Sequence, residues 1–190
     1  MNLIASLAAA VAVLASGAAP AAPPISQAYP GVSDTSFTAG NGDHVMRLSI
    51  DIPVGAPAVW HALSTADGWR ALSVKTAYVD FHQGGDIETN YRAGSPQGSP
   101  DNIKNQIIAF VPERLLVFRN VQAPRGFTDA DLFGRIVTSI AIEPEGAGHC
   151  RVTLSEDGYA PTPGFEGLYG KFLQGNAYTL ANLRKALTAP

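Results

Sequence analysis

The sequence predicts an α+β domain in which a curved antiparallel sheet is wrapped on one long C-terminal helix. Three observations lead to this prediction. Apolar residues recur at intervals of three and four between Gly164 and Leu187, which stripes one side of a helix. Between Met46 and Tyr159, apolar residues instead alternate with polar ones, as they do in half-buried strands. The helix follows the strands rather than alternating with them, and this order favours a sheet that covers a single helix.

Seven segments carry the strand pattern, and turn residues separate them. The first segment is His44–Ile52, which Pro53 ends. Two short helices are predicted next, because Pro57 suits a first helical turn and the stretch Thr65–Gly68 interrupts the apolar pattern. The other six strands are predicted over residues 77–82, 86–92, 103–111, 115–120, 135–143 and 149–157.

Length and composition are those of one globular domain. The chain has 190 residues, of which 46% are hydrophobic, and its formal net charge is −3. It has no run of basic residues, so a nucleic-acid-binding surface is disfavoured. Cys150 is the only cysteine, which leaves no pair for an internal disulfide.

The first 43 residues differ in character from the rest. Leu3–Leu14 is apolar, and the small residues of Ala15–Ala18 follow it, which is the order of a secretory signal. The apolar run is shorter than the ~20 residues that a membrane span needs. We therefore predict a signal peptide over residues 1–19, a linker or flexible arm over 20–43 and a domain over 44–188. Export to the periplasm, with no stable membrane insertion after cleavage, is the expectation; an uncleaved anchor is the alternative.

Strand parity predicts which side chains line the space between sheet and helix. Gly175 removes bulk where the helix faces the sheet, which favours a cavity; the alternative is that the side chains fill the interior. An apolar cavity with a few polar groups is the usual site for a small molecule. We expect a hydrophobic small molecule or lipid there, and no cofactor. The residues expected to bind it are Trp69, Phe81, Tyr91, Phe118, Thr138, Ile140, Leu154, Leu168, Phe172 and Gly175.

Three side chains are candidates for acid–base chemistry: Glu156, Tyr91 and Tyr78. Glu156 continues the inward register of Leu154, and a desolvated carboxyl there would have a raised pKa. The interpretation that we favour from the sequence is that the strand has reached the rim of the sheet, where Glu156 is solvated. No group of His, Cys, Asp and Glu has the spacing of a metal site, so no metal is predicted.

Aromatic residues in a long irregular stretch, 121–134, leave two interpretations open. Phe127, Leu132 and Phe133 could form a lid over the cavity or could be seated against the sheet. Trp69 could stack on a ligand or pack in the core.

Three segments resemble a known superfamily. Ile52–Leu63, with the sequence IPVGAPAVWHAL, resembles the opening of the SRPBCC (START-like, Bet v 1-like) superfamily. Val79–Ile87 (VDFHQGGDI) and Val111–Phe118 (VPERLLVF) resemble turns of its Hsp90-ATPase-activator-homologue-like branch. The resemblance extends from about His44 to Leu187 in order and spacing, and it implies the helix-grip fold.

The resemblance implies several functions rather than one, because this superfamily places lipid carriers, polyketide cyclase/dehydratase-like enzymes and interaction modules on one scaffold. An exported protein that binds a hydrophobic small molecule is the first hypothesis. A cyclase/dehydratase-type enzyme that uses the same cavity is the second. A protein-interaction module of the co-chaperone kind is the third. The oligomeric state is not predicted.

Overall fold

The computed structural model describes residues 23–146 and 148–189. The predicted signal peptide, residues 1–19, lies outside them. In chain order the elements are α1 (Ile25–Ala28), β1 (Val32–Asp34), β2 (Phe37–Thr38), β3 (His44–Ile52), α2 (Ala56–Ser64), α3 (Ala66–Ala71), β4 (Thr76–Val79), β5 (Asp86–Asn90), β6 (Ile103–Val111), β7 (Leu115–Gln122), α4 (Ala130–Phe133), β8 (Val137–Pro144), β9 (Cys150–Tyr159) and α5 (Pro163–Thr188).

The strands form one curved, open antiparallel sheet in the order β1-β3-β9-β8-β7-β6-β5-β4, and β2 also pairs with β3. Strands β4 to β9 are therefore a meander, and β3 returns beside β9. The predicted α+β fold with a long C-terminal helix is confirmed, as are the seven predicted strands and the two short helices after the first of them. Strands β1 and β2 are additional to the prediction.

Residues 23–43 contradict the prediction of a linker or flexible arm. Ile25 of α1 and Val32 of β1 are buried, and Val32 pairs with Ile50 of β3. These elements extend the β3 edge of the sheet. The prediction was wrong because two isolated apolar residues in a stretch rich in Ala, Pro and Gly have no periodicity, although the domain buries each of them.

The solid part of the core lies where α5 crosses β3 and β9. Alternate residues of β3, from Met46 to Ile52, are almost fully buried, and so are Leu180 and Leu183 of α5. Each such aliphatic side chain contributes about 1.5–3 kcal/mol by leaving water. This end of the helix is therefore fixed against the sheet, and the other end determines what space remains.

Helices α2 and α3 approach each other closely at Gly68. A Cβ atom added to Gly68 would lie 2.3 Å from the Ala62 carbonyl oxygen, so only glycine fits there. The Thr65 hydroxyl accepts a hydrogen bond from the Gly68 N–H at 3.1 Å and caps α3. The turn brings Trp69 inward, where its Nε1–H donates to the Leu63 carbonyl oxygen at 2.9 Å.

Candidate ligand-binding cavity

A cavity of about 390 Å³ lies between the sheet and the middle of α5. Strands β5 to β9 form its floor, α5 its roof, and α3 and the segment 123–134 its sides. Its wall is mostly apolar, which matches the usual composition of a small-molecule pocket. The apolar wall residues are Trp69, Leu72, Val74, Ile103, Phe118, Pro124, Phe127, Phe133, Ile140, Leu154 and Phe172.

Eight of the ten residues expected to bind a ligand lie in this wall: Trp69, Tyr91, Phe118, Thr138, Ile140, Leu154, Phe172 and Gly175. Their contact with a ligand stays a prediction. At Gly175 an added Cβ would meet nothing within 4 Å, so the roof is open at that point.

Phe81 and Leu168 are not part of the wall. Phe81 packs instead against Trp60 and Phe110, at centroid distances of 5.4 and 4.9 Å. The prediction that Phe81 points inward assumed strand alternation up to residue 81. It was wrong because β4 ends at Val79. Leu168 is fully buried one turn before Phe172, where protein already fills the space below the helix.

The interpretation that Glu156 is solvated at the rim of the sheet is wrong. The side chain is 2% exposed and lines the cavity. Its Oε1 accepts from the Thr138 hydroxyl at 2.8 Å, and its Oε2 accepts from the Tyr159 hydroxyl at 2.5 Å. Burial raises the pKa of the carboxyl, and the donors on Tyr159, Asn176 and Thr138 act in the opposite direction. The raised pKa shows that desolvation outweighs these hydrogen bonds.

A β-bulge explains why Glu156 is not at the rim. Met46 pairs with Glu156, but His44 pairs with Tyr159, so β9 has one extra residue opposite β3. Gly158 in the bulge has φ +98°, and an added Cβ would lie 2.2 Å from the Arg135 carbonyl oxygen. The strand thereby extends beyond its predicted end, past Glu156, and the extra residue turns Tyr159 to the same inward side. Burial and the ionised carboxyl of Glu156 raise the pKa of Tyr159.

A second polar group, the Asn105–Asn120 pair, lies on β6 and β7 in the same wall. The two residues are 7% and 4% exposed and are direct cross-strand neighbours. Asn120 Nδ2 donates to Asn105 Oδ1. Within the described part of the chain, Asn120 Oδ1 is buried without a hydrogen-bond partner. Such an acceptor costs about 1–3 kcal/mol.

Four of the polar residues at the cavity that sequence reasoning missed belong to its two buried polar groups or lie beside them. Asn105, Asn120 and Asn176 line it, and Tyr159 supports Glu156 from β9. A signal for Asn105 was present, since it stands between Ile103 and Ile107 on the same face of its strand. The bulge at Gly158 hid the inward direction of Tyr159.

The segment 123–134 is fastened to α5 at the side of the cavity. The Lys171 ammonium contacts an Asp129 carboxylate oxygen at 2.7 Å and lies 5.2 Å from the Phe127 ring centroid. Phe133 packs between Phe127 and Phe172, at 5.3 Å from each ring. The aromatic residues of this segment are therefore seated on the helix and form part of the cavity wall.

The three residues proposed for acid–base chemistry are not brought together. Tyr91 is at the cavity but 58% exposed, and burial of part of its ring raises the pKa of its hydroxyl. Tyr78 lies outside the cavity and donates to the Ser95 carbonyl oxygen at 2.9 Å. Of these three residues, Glu156 is the one that is buried at the cavity.

Among residues 23–146 and 148–189, no three or more His, Cys, Asp or Glu side chains are grouped as a metal site would require. In the same ranges, no helix has the length and hydropathy of a membrane span.

Comparison with known proteins gives the family. The profile of the polyketide cyclase / dehydrase and lipid transport family matches residues 43–188. The chain belongs to this family. The SRPBCC resemblance is thereby confirmed, and membership indicates a fold that binds hydrophobic ligands. No curated protein matches the sequence.

Solved structures similar to this polyketide cyclase / dehydrase and lipid transport family member share its fold at low identity. CalU16 from Micromonospora echinospora has a TM-score of 0.58 and 14% identity, over 83% of this chain and 87% of that one. The Aha1 dimer from Colwellia psychrerythraea gives 0.58 and 15%, over 76% and 96%. A protein from Arthrobacter aurescens gives 0.64 and 13%, over 83% and 92%. These similarities confirm the helix-grip fold.

Proposed function

We propose that this protein binds one compact, mostly apolar molecule in the cavity between α5 and the sheet. The observation that carries the proposal is the cavity itself, about 390 Å³ with a mainly apolar wall. Concave spaces of this size with a mostly apolar wall and a few polar groups are the usual sites of small molecules, so this space indicates a ligand. The predicted residues in its wall support the same conclusion.

The dimensions favour a single ring system or a short chain over a two-chain lipid. Ligand pockets span about 300–1,000 Å³, and this cavity is near the lower limit. The rings of Phe118, Phe133 and Phe172 offer flat apolar surface to such a molecule.

Native mass spectrometry after mild purification, followed by organic extraction, tests the proposal. We expect a bound apolar compound, or a rise in melting temperature with members of a panel of small aromatic and aliphatic compounds. A ligand at 100 times its Kd stabilises the folded state by about 2.7 kcal/mol. A protein that carries no compound and gains no thermal stability from any of them would refute it.

A second function, acid–base catalysis, is favoured by Glu156. This carboxyl is buried and faces the cavity, and desolvation raises its pKa above the ordinary value, as is common for acid–base groups in enclosed sites. The proposed step is removal of a proton from the carbon beside a ligand carbonyl. The ionised carboxyl takes the proton, the carbonyl becomes an enolate, and the proton returns from the carboxylic acid.

Deuterium exchange into 2-acetylnaphthalene in D₂O, followed by NMR, tests this step. If Glu156 transfers the proton, the protein accelerates exchange at the methyl group, and Glu156→Gln removes the acceleration while the ketone still binds. Equal rates with the two proteins would leave only the binding function.

Export is a further part of the proposal. Its support is the apolar run Leu3–Leu14 followed by the small residues Ala15–Ala18, together with the expected cleavage near residue 19. N-terminal sequencing of the mature protein from a fractionated cell tests it. An intact N-terminus on protein recovered from the cytoplasm would contradict export.

A further inference from the structure

We infer that the Asn105–Asn120 pair recognises a neutral hydroxyl group on the ligand and discriminates against a carboxylate of the same shape. This inference rests on the proposed binding function and deepens it by naming a class of ligand. Its basis is the hydrogen-bonding capacity that the pair leaves unused in the cavity wall.

The pair offers both an acceptor and donors at one place. Asn120 donates its Nδ2 group to Asn105 Oδ1, and its own Oδ1 is buried without a partner among the described residues. Because Asn105 accepts through its oxygen, its Nδ2 hydrogens remain for another acceptor. A hydroxyl donates one hydrogen bond and accepts others, so it satisfies both asparagines together.

The charge distribution opposes an anion at this position. Among the described residues of the wall, Lys171 is the cation, and it is half-exposed and already paired with Asp129. A carboxylate has only acceptors, so it would face Asn120 Oδ1 without a hydrogen between the two oxygens. It would also lose its hydration without gaining a countercharge.

The sheet register places an apolar surface between the two polar groups. Phe118 lies two residues before Asn120 on β7, and it pairs through Thr138 with Glu156 across β8 and β9. Strand geometry gives about 7 Å along β7 and about 9.6 Å across two strand spacings, which separates the Asn120 and Glu156 Cα atoms by about 12 Å. A fused ring system resting on Phe118 therefore brings a ring hydroxyl to the Asn105–Asn120 pair.

The test compares naphthalene, 2-naphthol and 2-naphthoate by isothermal titration calorimetry at pH 7.5, with the full chain. We expect 2-naphthol to bind about tenfold more tightly than naphthalene, as one net hydrogen bond allows. We expect 2-naphthoate to bind more weakly than either. Asn120→Leu should remove the preference for 2-naphthol and retain the affinity for naphthalene.

Thr179→Val is the matched control, because this wall hydroxyl already donates to the Gly175 carbonyl oxygen at 2.9 Å. It should keep the hydroxyl preference, and Asn105→Ala should reduce it. Equal affinity of the wild-type protein for naphthalene and 2-naphthol would overturn the inference and leave the proposed function intact. So would 2-naphthoate binding as tightly as 2-naphthol. Binding of none of the three probes would refute both.

Discussion

The two polar groups in the cavity wall use their hydrogen-bonding capacity in opposite ways. Thr138 and Tyr159 donate to the two oxygens of Glu156, so the protein itself occupies them. The Asn105–Asn120 pair is equally buried but keeps an acceptor with no partner in the described residues. Burial of a polar group is therefore not what indicates ligand recognition here. The capacity left over after the protein's own hydrogen bonds is the better guide.

Filling the cavity removes the space that both polar groups share, and it should have the largest effect. An aromatic side chain at Gly175 meets no protein within 4 Å of its Cβ and extends from the roof of the cavity. We expect Gly175→Phe to weaken binding of 2-naphthol by about 100-fold, which is about 2.7 kcal/mol. Calorimetry measures the affinity, and urea unfolding checks that the variant is as stable as the wild type.

Gly170→Phe is the matched control for this prediction. Gly170 is also in α5, is exposed, has open space around its Cβ and lies outside the cavity wall. It should leave the affinity unchanged. Wild-type affinity in Gly175→Phe would place the ligand elsewhere on the protein.

Removing a hydrogen-bond donor to Glu156 tests how much this satisfied polar group contributes to stability. Tyr159→Phe deletes the hydroxyl that donates to Glu156 Oε2 at 2.5 Å. We expect the free energy of unfolding to fall by about 1–3 kcal/mol, because a buried carboxyl oxygen loses its partner. Tyr78→Phe loses a hydroxyl that donates to Ser95 at a partly buried site and should cost less. If urea unfolding gives the two variants equal losses of unfolding free energy, the hydrogen bond to Glu156 contributes no more than the one to Ser95.

The pH dependence of stability tests the same group. The pKa of Glu156 is raised above its ordinary value of 4.5 in the folded protein, chiefly by burial. The folded state therefore holds this proton where the unfolded chain has released it. Its contribution to stability is complete below about pH 4.5 and is lost as the pH rises through the folded pKa.

Glu156→Gln cannot ionise, so the comparison with wild type isolates this contribution. We expect the stability of the variant relative to wild type to increase as the pH rises above 4.5. Urea unfolding at several pH values measures the difference. Thr153→Val, at a buried position of the same strand outside the cavity wall, should give a difference that does not vary with pH. A constant difference for Glu156→Gln as well would contradict the raised pKa.

Most of the fold was predictable from the sequence because periodicity records which face of an element is buried. Alternation over residues 44–52 and the stripe in residues 164–187 gave both the sheet and the helix that crosses it. Phe118 and Phe172 were expected at the cavity for the same reason. Parity is reliable only within a regular strand, however, and Phe81 lies beyond the end of β4.

The chemistry of the cavity was less predictable because it depends on irregular backbone and on partners distant in sequence. The bulge at Gly158 turns Tyr159 inward and carries β9 past Glu156, so a residue expected at the rim is buried. The unpaired acceptor of Asn120 follows from its pairing with Asn105, fifteen residues away, and not from either local pattern. Alternation shows which side chains face inward; the pairing of strands determines which of them remain unsatisfied.

The smallest expected effect concerns the route by which a ligand reaches the Asn105–Asn120 pair. The segment 123–134 contributes Phe127 to the wall, and Lys171 fastens it to α5 through Asp129. Lys171→Met removes the ammonium, and with it both the ion pair to Asp129 and the cation over the Phe127 ring. Because the Lys171 side chain is half-exposed and water screens the pair, we expect a change in the free energy of unfolding below about 1 kcal/mol. The dissociation rate of 2-naphthol, followed by stopped-flow fluorescence, should rise severalfold because the segment opens more often.

Arg125→Met is the control, since it removes another exposed ion pair of this segment, to Asp101, and leaves the attachment to α5 intact. If both variants release 2-naphthol at the wild-type rate, the ligand does not leave under this segment.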